Sequence, residues 1–169
     1  MTDNFDANRN NEVAQASVGA ARQFLTFTVD REEYGVDIMT VREIKGWTET
    51  TRLPNAPEFM RGVMNLRGLI IPIFDMRARL NLGSTDATPK HVIIILAVGA
   101  RNIGILVDAV SDILNINEDQ IKPAPNSGMQ VDAEFISGLI SLENRMVVLL
   151  TVNQLFDTKH IDKAIAEAA

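Results

Sequence analysis

Few residues in this chain have the types and spacing that chemistry demands. Its two histidines are His91, at the start of an apolar run, and His160, near the C-terminus. Neither has a second histidine at metal-ligand spacing, and both read as surface histidines. The chain has no cysteine, which excludes thiol nucleophiles, disulfides and thiolate zinc sites. Asp108, Asp112, Glu118 and Asp119 are acidic neighbours, but they lack the central glycine and terminal glutamate of a calcium loop. Asp108 reads as a turn residue, and Glu118 and Asp119 as solvated loop charge. No Gly-x-Gly-x-x-Gly, Walker or Gly-x-Ser-x-Gly motif occurs. Carboxylate catalysis needs two carboxyl groups at fixed separation in a cleft, and no pattern here calls for that. The expectation is a protein that is not an enzyme and holds no cofactor or metal.

What remains is recognition, and one stretch stands out for it. In Asn65-Leu66-Arg67-Gly68-Leu69-Ile70-Ile71-Pro72, two apolar runs flank the break Arg67-Gly68. Gly68 can take φ > 0 without a Cβ clash, as a tight hairpin requires. Gly62 to Leu66 then folds back on Leu69 to Phe74. Arg67 stands at the tip, wet and unpaired. Pro72 lacks a backbone donor, which places its strand at an edge or at a bulge. An arginine on a rigid tip beside apolar strands fits a docking surface, and it fits a solubilising tip residue as well.

Composition narrows the partner. The chain has 169 residues, enough for one domain or two small ones. Its formal net charge is −6, and nucleic-acid binders show a basic face instead. Aromatic residues are few and are not interleaved with Lys and Arg, unlike an oligonucleotide-binding barrel. The longest apolar run, Val92 to Val98, is far shorter than the roughly 20 residues that span a bilayer. The N-terminus lacks a basic segment followed by an apolar one, so a cytoplasmic protein without a signal peptide is expected.

The elements that must carry the hairpin follow from periodicity. Met1 to Arg22 shows no sustained apolar period and reads as a mobile tail. From Gln23, Leu25, Phe27 and Val29 alternate with Phe24, Thr26 and Thr28, the period of a strand. Asp30 to Glu33 turns the chain, and Tyr34 to Asp37 returns. Asp37 can cap one helical turn through Ile38 to Thr40. Val41 to Trp47 is extended again. Arg52 to Pro57 is an irregular connection with two prolines, and Pro57 to Met60 fits one helical turn. After the hairpin, Asp75 is the expected N-cap of a short helix through Leu80, closed by Gly83, before a polar loop from Asn81 to Lys90. Strands follow at His91 to Val98, Asn102 to Val107 and Val110 to Ile116. After a loop from Lys122 to Met129, Ile136 to Leu142 and Met146 to Leu150 form a second hairpin, with a short helix ending near Phe156. The last residues, 158–169, fit a tail or a frayed helix equally.

The chain also repeats itself. A shift of 69 residues places Val29 on Val98, Gly35 on Gly104, Val41 on Val110 and Glu43 on Asp112. A shift of 76 places Gly62 on Gly138, Leu66 on Leu142 and the tip Arg67-Gly68 on Glu143-Asn144. Asn144 tolerates φ > 0, so the turn is expected to be kept while the charge flips. Two units of about five short strands, each too small to stand alone, should share a core. Small barrels are the natural form, because closure removes exposed edges. The surface of Val41, Glu43 and Arg67 has no evident chemical twin in the second unit, so the halves are expected to bind different things.

Taken together, several motifs resemble the CheW family of bacterial chemotaxis coupling proteins. They are Tyr34-Gly35-Val36-Asp37-Ile38, Val41-Arg42-Glu43-Ile44, Gly62 to Gly68, Ile71-Pro72-Ile73-Phe74-Asp75 and Gly104 to Val110. The likeness runs from about Gln23 to Phe156. It implies an all-β fold of two intertwined five-stranded SH3-like barrels, with short helices. The domain would span 23–157, the first barrel about 23–83 and the second about 88–157. The resemblance implies a non-catalytic adaptor that links transmembrane chemoreceptors to the histidine kinase CheA and so to the flagellar motor. Partners would be the kinase's CheW-like regulatory domain, the cytoplasmic tips of receptors and other CheW copies in membrane-associated arrays, with no nucleic acid and no membrane insertion. Val36, Met39, Val41, Glu43 and Val110 match the family's receptor-binding groove, and Gly62 and Arg67 its kinase- or receptor-facing surface. Ile93 and Ile113 match second-barrel positions that are sensitive in the family, or are core. The remaining alternatives are a CheW-fold adaptor for another receptor–kinase pathway, such as surface motility, and a small ligand-binding barrel.

Overall fold

The computed structural model describes residues 21–125 and 133–156. His160, the C-terminal segment, and the expected N-terminal tail apart from Ala21 and Arg22 lie outside them. In chain order the strands are β1 (Ala21–Val29), β2 (Glu32–Asp37), β3 (Val41–Gly46), β4 (Met60–Leu66) and β5 (Leu69–Asp75), then β6 (Val92–Val98), β7 (Arg101–Val107), β8 (Ala109–Asn117), β9 (Ile121–Lys122), β10 (Ile136–Leu142) and β11 (Arg145–Leu150). Helix α1 (Met76–Arg79) follows β5, and α2 (Val152–Leu155) follows β11. The first strand begins two residues earlier than its apolar pattern predicts. Arg22 extends it by pairing with Asp37 at 3.3 Å and lying over the Phe24 ring.

The strands form two sheets, ordered β8-β1-β2-β11-β10-β9 and β3-β6-β7-β5-β4. Exchanging each strand for its repeat partner turns β8-β1-β2-β11-β10 into β3-β6-β7-β5-β4. The internal repeat is therefore a repeat of pairing. It holds at residue level too, since β2 and β11 align Gly35 with Leu149 and β5 and β7 align Gly104 with Ile73, the repeat counterparts of one another. Each sheet takes strands from both expected halves, with β1 and β2 joining the late strands and β6 and β7 joining the early ones. The two-residue β9 makes one sheet six-stranded where five were expected.

This exchange explains why β6 and the Ile103–Val107 stretch of β7 read as nearly unbroken apolar runs, and why β1 buries both of its faces. Their two faces feed different cores. Leu25, Phe27 and Val29 of β1 meet Ile94, Leu96 and Val98 of β6 in a central cluster between the sheets. The opposite face of β6, Ile93 and Ile95, packs with Leu66, Ile71, Ile73 and Leu106 inside one barrel. Phe24 packs with Ile116, Ile140, Val147 and Leu149 inside the other. The Phe74 and Phe156 rings stack 4.8 Å apart across the repeat. Arg79 bonds the Leu155 carbonyl at 2.6 Å and lies over both Phe59 and Phe135. Neither unit owns the central cluster alone, as the size argument requires.

Asp75 caps α1, accepting from the N–H groups of Arg77 and Ala78. It is buried, and Thr85 supplies two further bonds, from its N–H at 2.7 Å and its hydroxyl at 2.6 Å. The polar loop 81–90 is thus tied to the core through one carboxylate. The predicted one-turn helix at Ile38–Thr40 is present, with Asp37 accepting from the Met39 N–H. The one predicted at Pro57–Met60 is only a turn, closed by the Met60 N–H on the Pro57 carbonyl.

Pro72 corrects an expectation. Its strand, β5, lies inside the sheet between β7 and β4. Pro72 is paired with Val63, whose N–H and C=O both turn away to Thr51. The missing donor of Pro72 therefore faces β7, where the parallel ladder starts only at Ile73. No ladder bond is lost.

Candidate functional site

The tip of the β4–β5 hairpin is a tight turn with both central residues left-handed, Arg67 at φ 51° and Gly68 at φ 88°. That geometry matches the right-handed twist of the strands. Asn65 fixes it, its Oδ1 accepting from the Gly68 N–H at 2.8 Å. The turn is not repeated. Glu143 and Asn144 are not among the residues with positive φ, so the second hairpin keeps the loop length but not the turn type expected for it.

Arg67 is exposed, with 73 % of its side chain accessible, yet it is not unpaired as its tip position led us to expect. Its Nη2 donates to Glu43 Oε2 at 2.6 Å. Glu43 sits on β3, at the far side of the sheet from β4, so the bond joins the sheet's two edges and completes a barrel. The Arg67 hydrogen bond, followed by its charge and that of Lys45, holds the Glu43 carboxyl below the usual carboxylate range.

A charge twin exists in the second barrel, contrary to expectation. Asp112, the repeat counterpart of Glu43, binds Arg145 through two bonds of 3.0 and 3.1 Å. Arg145 also forks onto Glu33, donating from Nε at 2.9 Å and from Nη2. Thr26 completes the group, its hydroxyl donating to Asp112 at 2.7 Å. Residue alignment missed this because Arg145 stands one place after the tip and aligns with Leu69, so the arginine reaches the same carboxylate from a shifted position. The two barrels thus close differently. In the first the cation stands out at a tip, and in the second it lies folded over β11, β2 and β8.

The second network makes a pH prediction. Hydrogen bonds from Arg145 and then Thr26 hold Asp112 below the ordinary carboxylate range. A carboxyl with a lowered folded pKa stabilises the fold above its unfolded pKa, about 3.9, and that contribution is lost as pH falls through the folded value. Melting temperature should therefore fall more steeply below about pH 4 in the wild type than in Asp112→Asn. Equal slopes in thermal melts from neutral to acid pH would show that Asp112 is not a source of acid sensitivity.

The other expected site residues divide into surface and support. Among the described residues Met39 is the most exposed large apolar side chain, at 77 %. Val41 and Val110 are half-buried and pack on the rim of the central cluster. Val36 lies within that cluster and is 1 % exposed, so it supports the surface from beneath and offers nothing to a partner directly. Ile93 is fully buried in the first barrel, whereas Ile113 on β8 stands 53 % exposed. Leu69 and Ile70 carry the apolar surface onward from Arg67. A shallow depression of about 360 Å³ lies beside them, lined by Thr51, Met64, Asn65 and Ile70 among others.

Gly62 is buried and shapes the hairpin rather than facing outward. Its φ is +149°, and a Cβ there would overlap the Thr51 carbonyl. Thr51 is bonded to Val63 on both sides, so that carbonyl cannot retreat without breaking the bridge. Gly62→Ala should lose about 1–3 kcal/mol from backbone strain alone. Urea unfolding checks this, and an unchanged midpoint would mean the hairpin has slack that this packing does not show.

Asp108, expected as a turn residue, stands at the bend between β7 and β8, and both it and His91 are tied into the structure. Asp108 accepts from Arg77 Nη2 and from the Asp30 N–H, both at 2.9 Å, and His91 is held by Thr88 at 3.0 Å. Among the described residues no cluster of three or more His, Cys, Asp or Glu is placed to hold a metal ion. No described helix is long and apolar enough to cross a membrane.

Comparison with known proteins agrees with this architecture. Residues 23–160 match the family model for the CheW-like domain. The chain is 40% identical over 143 residues to the probable chemotaxis protein CheW of Rhizobium etli, covering 85% of this chain and 92% of that one. It is 39% identical over 150 residues to chemotaxis protein CheW of Klebsiella aerogenes, covering 89% of each. The crystal structure of the scaffolding protein TtCheW from Thermoanaerobacter tengcongensis superposes with a TM-score of 0.74 at 32% identity, over 80% of this chain and 88% of that one. Two exchanged SH3-like barrels, the repeated pairing and these matches agree: the chain belongs to the CheW-like domain family.

Proposed function

We propose that this protein is a non-catalytic chemotaxis adaptor that couples the cytoplasmic tips of methyl-accepting chemoreceptors to the histidine kinase CheA. The observation that carries the reading is the surface around Glu43 and Arg67. There a rigid turn holds an exposed cation beside unpartnered apolar side chains, on a fold whose relatives are chemotaxis CheW proteins. Met39, Val41 and Val110 supply apolar contacts to a receptor's helical hairpin, with Glu43 as the charged rim and Val36 beneath. Arg67 and the apolar start of β5 face the kinase or receptor, shaped by Gly62. Each such contact is worth roughly 1–2 kcal/mol at a small interface, so single affinities should be micromolar and avidity in a membrane-associated array should supply the rest.

The test is a phosphorylation assay with cognate CheA and a receptor signalling fragment, with and without this protein. Stimulation that needs all three components supports the coupling role. No stimulation, with the kinase active and this protein folded, would refute coupling for that pair and favour another receptor–kinase pathway.

A further inference from the structure

Met39 is presented in an unusual way. Both polar groups of its backbone are fixed, its N–H donating to Asp37 Oδ1 at 2.9 Å and its carbonyl accepting from Arg42 Nη1 at 2.9 Å. Its flanking residues anchor it, since Ile38 in the one-turn helix and Val41 at the start of β3 pack against the central cluster. The side chain itself is 77 % exposed. A flexible, apolar thioether is thus held outward on a rigid mount.

The other described residues leave peroxide few sulfur targets. There is no cysteine, so no thiolate competes. Among the described methionines, Met60 and Met76 are buried in the central cluster, and Met64 is partly covered in the first barrel. Met39 and Met146 are the exposed ones. Met146 lies on β11, in the other sheet from Glu43. An exposed thioether reacts with peroxide, and the sulfoxide it forms is polar, chiral and reversible by sulfoxide reductases.

We propose that Met39 is a peroxide modification site whose oxidation weakens docking of the receptor tip, a consequence that rests on the adaptor reading above. In the reaction a sulfur lone pair attacks one peroxide oxygen. The O–O bond breaks as the S–O bond forms, and the proton on the attacked oxygen passes to the departing hydroxide, which leaves as water. Sulfur is oxidised by two electrons, and hydrogen peroxide is the oxidant reduced. The product places a strongly polar S–O group where an apolar contact was presented. Met39→Leu keeps the apolar volume and removes the sulfur.

The test treats the full chain with hydrogen peroxide, maps the oxidised residues by peptide mass spectrometry, and measures affinity for a receptor signalling fragment before and after. Met39 should oxidise well before Met60 and Met76. Affinity should fall about tenfold, the loss of one good contact, and return after treatment with the two sulfoxide reductases. Met39→Leu, whatever its starting affinity, should show the same affinity before and after peroxide. Failure of Met39 to oxidise while Met146 does, or an equal loss in Met39→Leu, would overturn the proposal. Oxidation of Met39 in a protein that never binds the receptor fragment would overturn the docking consequence by refuting the adaptor reading itself, a result distinct from either of those.

Discussion

Val36→Asp is expected to unfold the protein, whereas Val41→Asp should leave it folded and unable to dock. The two valines lie five residues apart, and sequence alone treats them alike. The fold separates them. Val36 is 1 % exposed in the cluster that joins the two sheets, among Leu25, Phe27, Tyr34 and Ile94. A carboxylate there has no cation within the cluster to pair with. An uncompensated buried charge costs about 3–5 kcal/mol, a large part of the roughly 5–15 kcal/mol that holds a domain together. Because the cluster is shared, the loss falls on both barrels at once. Val41 is only half-buried at the rim, so its substitution should lose about 1 kcal/mol and weaken receptor binding about tenfold. Urea melts and a binding titration on both variants check this. A stable Val36→Asp that has lost receptor binding would put Val36 on the surface after all.

The difference between these valines shows what the sequence could and could not reveal. Strand positions were legible because alternation survives even where both faces are buried; Leu25, Phe27 and Val29 go to one core and Phe24 to another. The short helices were legible through their caps, Asp37 and Asp75. The repeat was legible as residue spacing, and its pairing follows the same shifts. Burial at the site was not legible, because it depends on which strands exchange between sheets. A motif match cannot distinguish Val36, inside the seam, from Val41 at its rim. Electrostatic partners were hidden for the same reason. Arg67 and Glu43 meet only because the sheet curls its edges together. Arg145 reaches Asp112 from a position that the alignment assigns to Leu69. Pro72 misled because the rule about proline and edges concerns donors, and here the absent donor faces an unbonded gap.

Arg67→Glu should abolish receptor-dependent kinase stimulation and shift the melting temperature little. The side chain is 73 % exposed, and its ion-pair partner, Glu43, is on the surface too, so the fold has little invested in the guanidinium. The backbone sharpens the argument. Arg67 holds φ at 51°, a left-handed conformation that costs a non-glycine residue about 1–2 kcal/mol. Asparagine or glycine would suit this turn position better. A residue that is poor for its turn and exposed to water fits the docking role proposed for it. Arg67→Gly should therefore keep or raise stability while losing stimulation, so the two readouts move independently. The double variant Glu43→Arg, Arg67→Glu restores opposite charges across the barrel edge and separates the remaining readings. Recovered stimulation would mean that the bond closing the sheet is what matters. Stimulation still absent, in a folded protein, would mean that the partner reads the guanidinium at the tip, because only the double variant keeps the closure while moving the cation to β3.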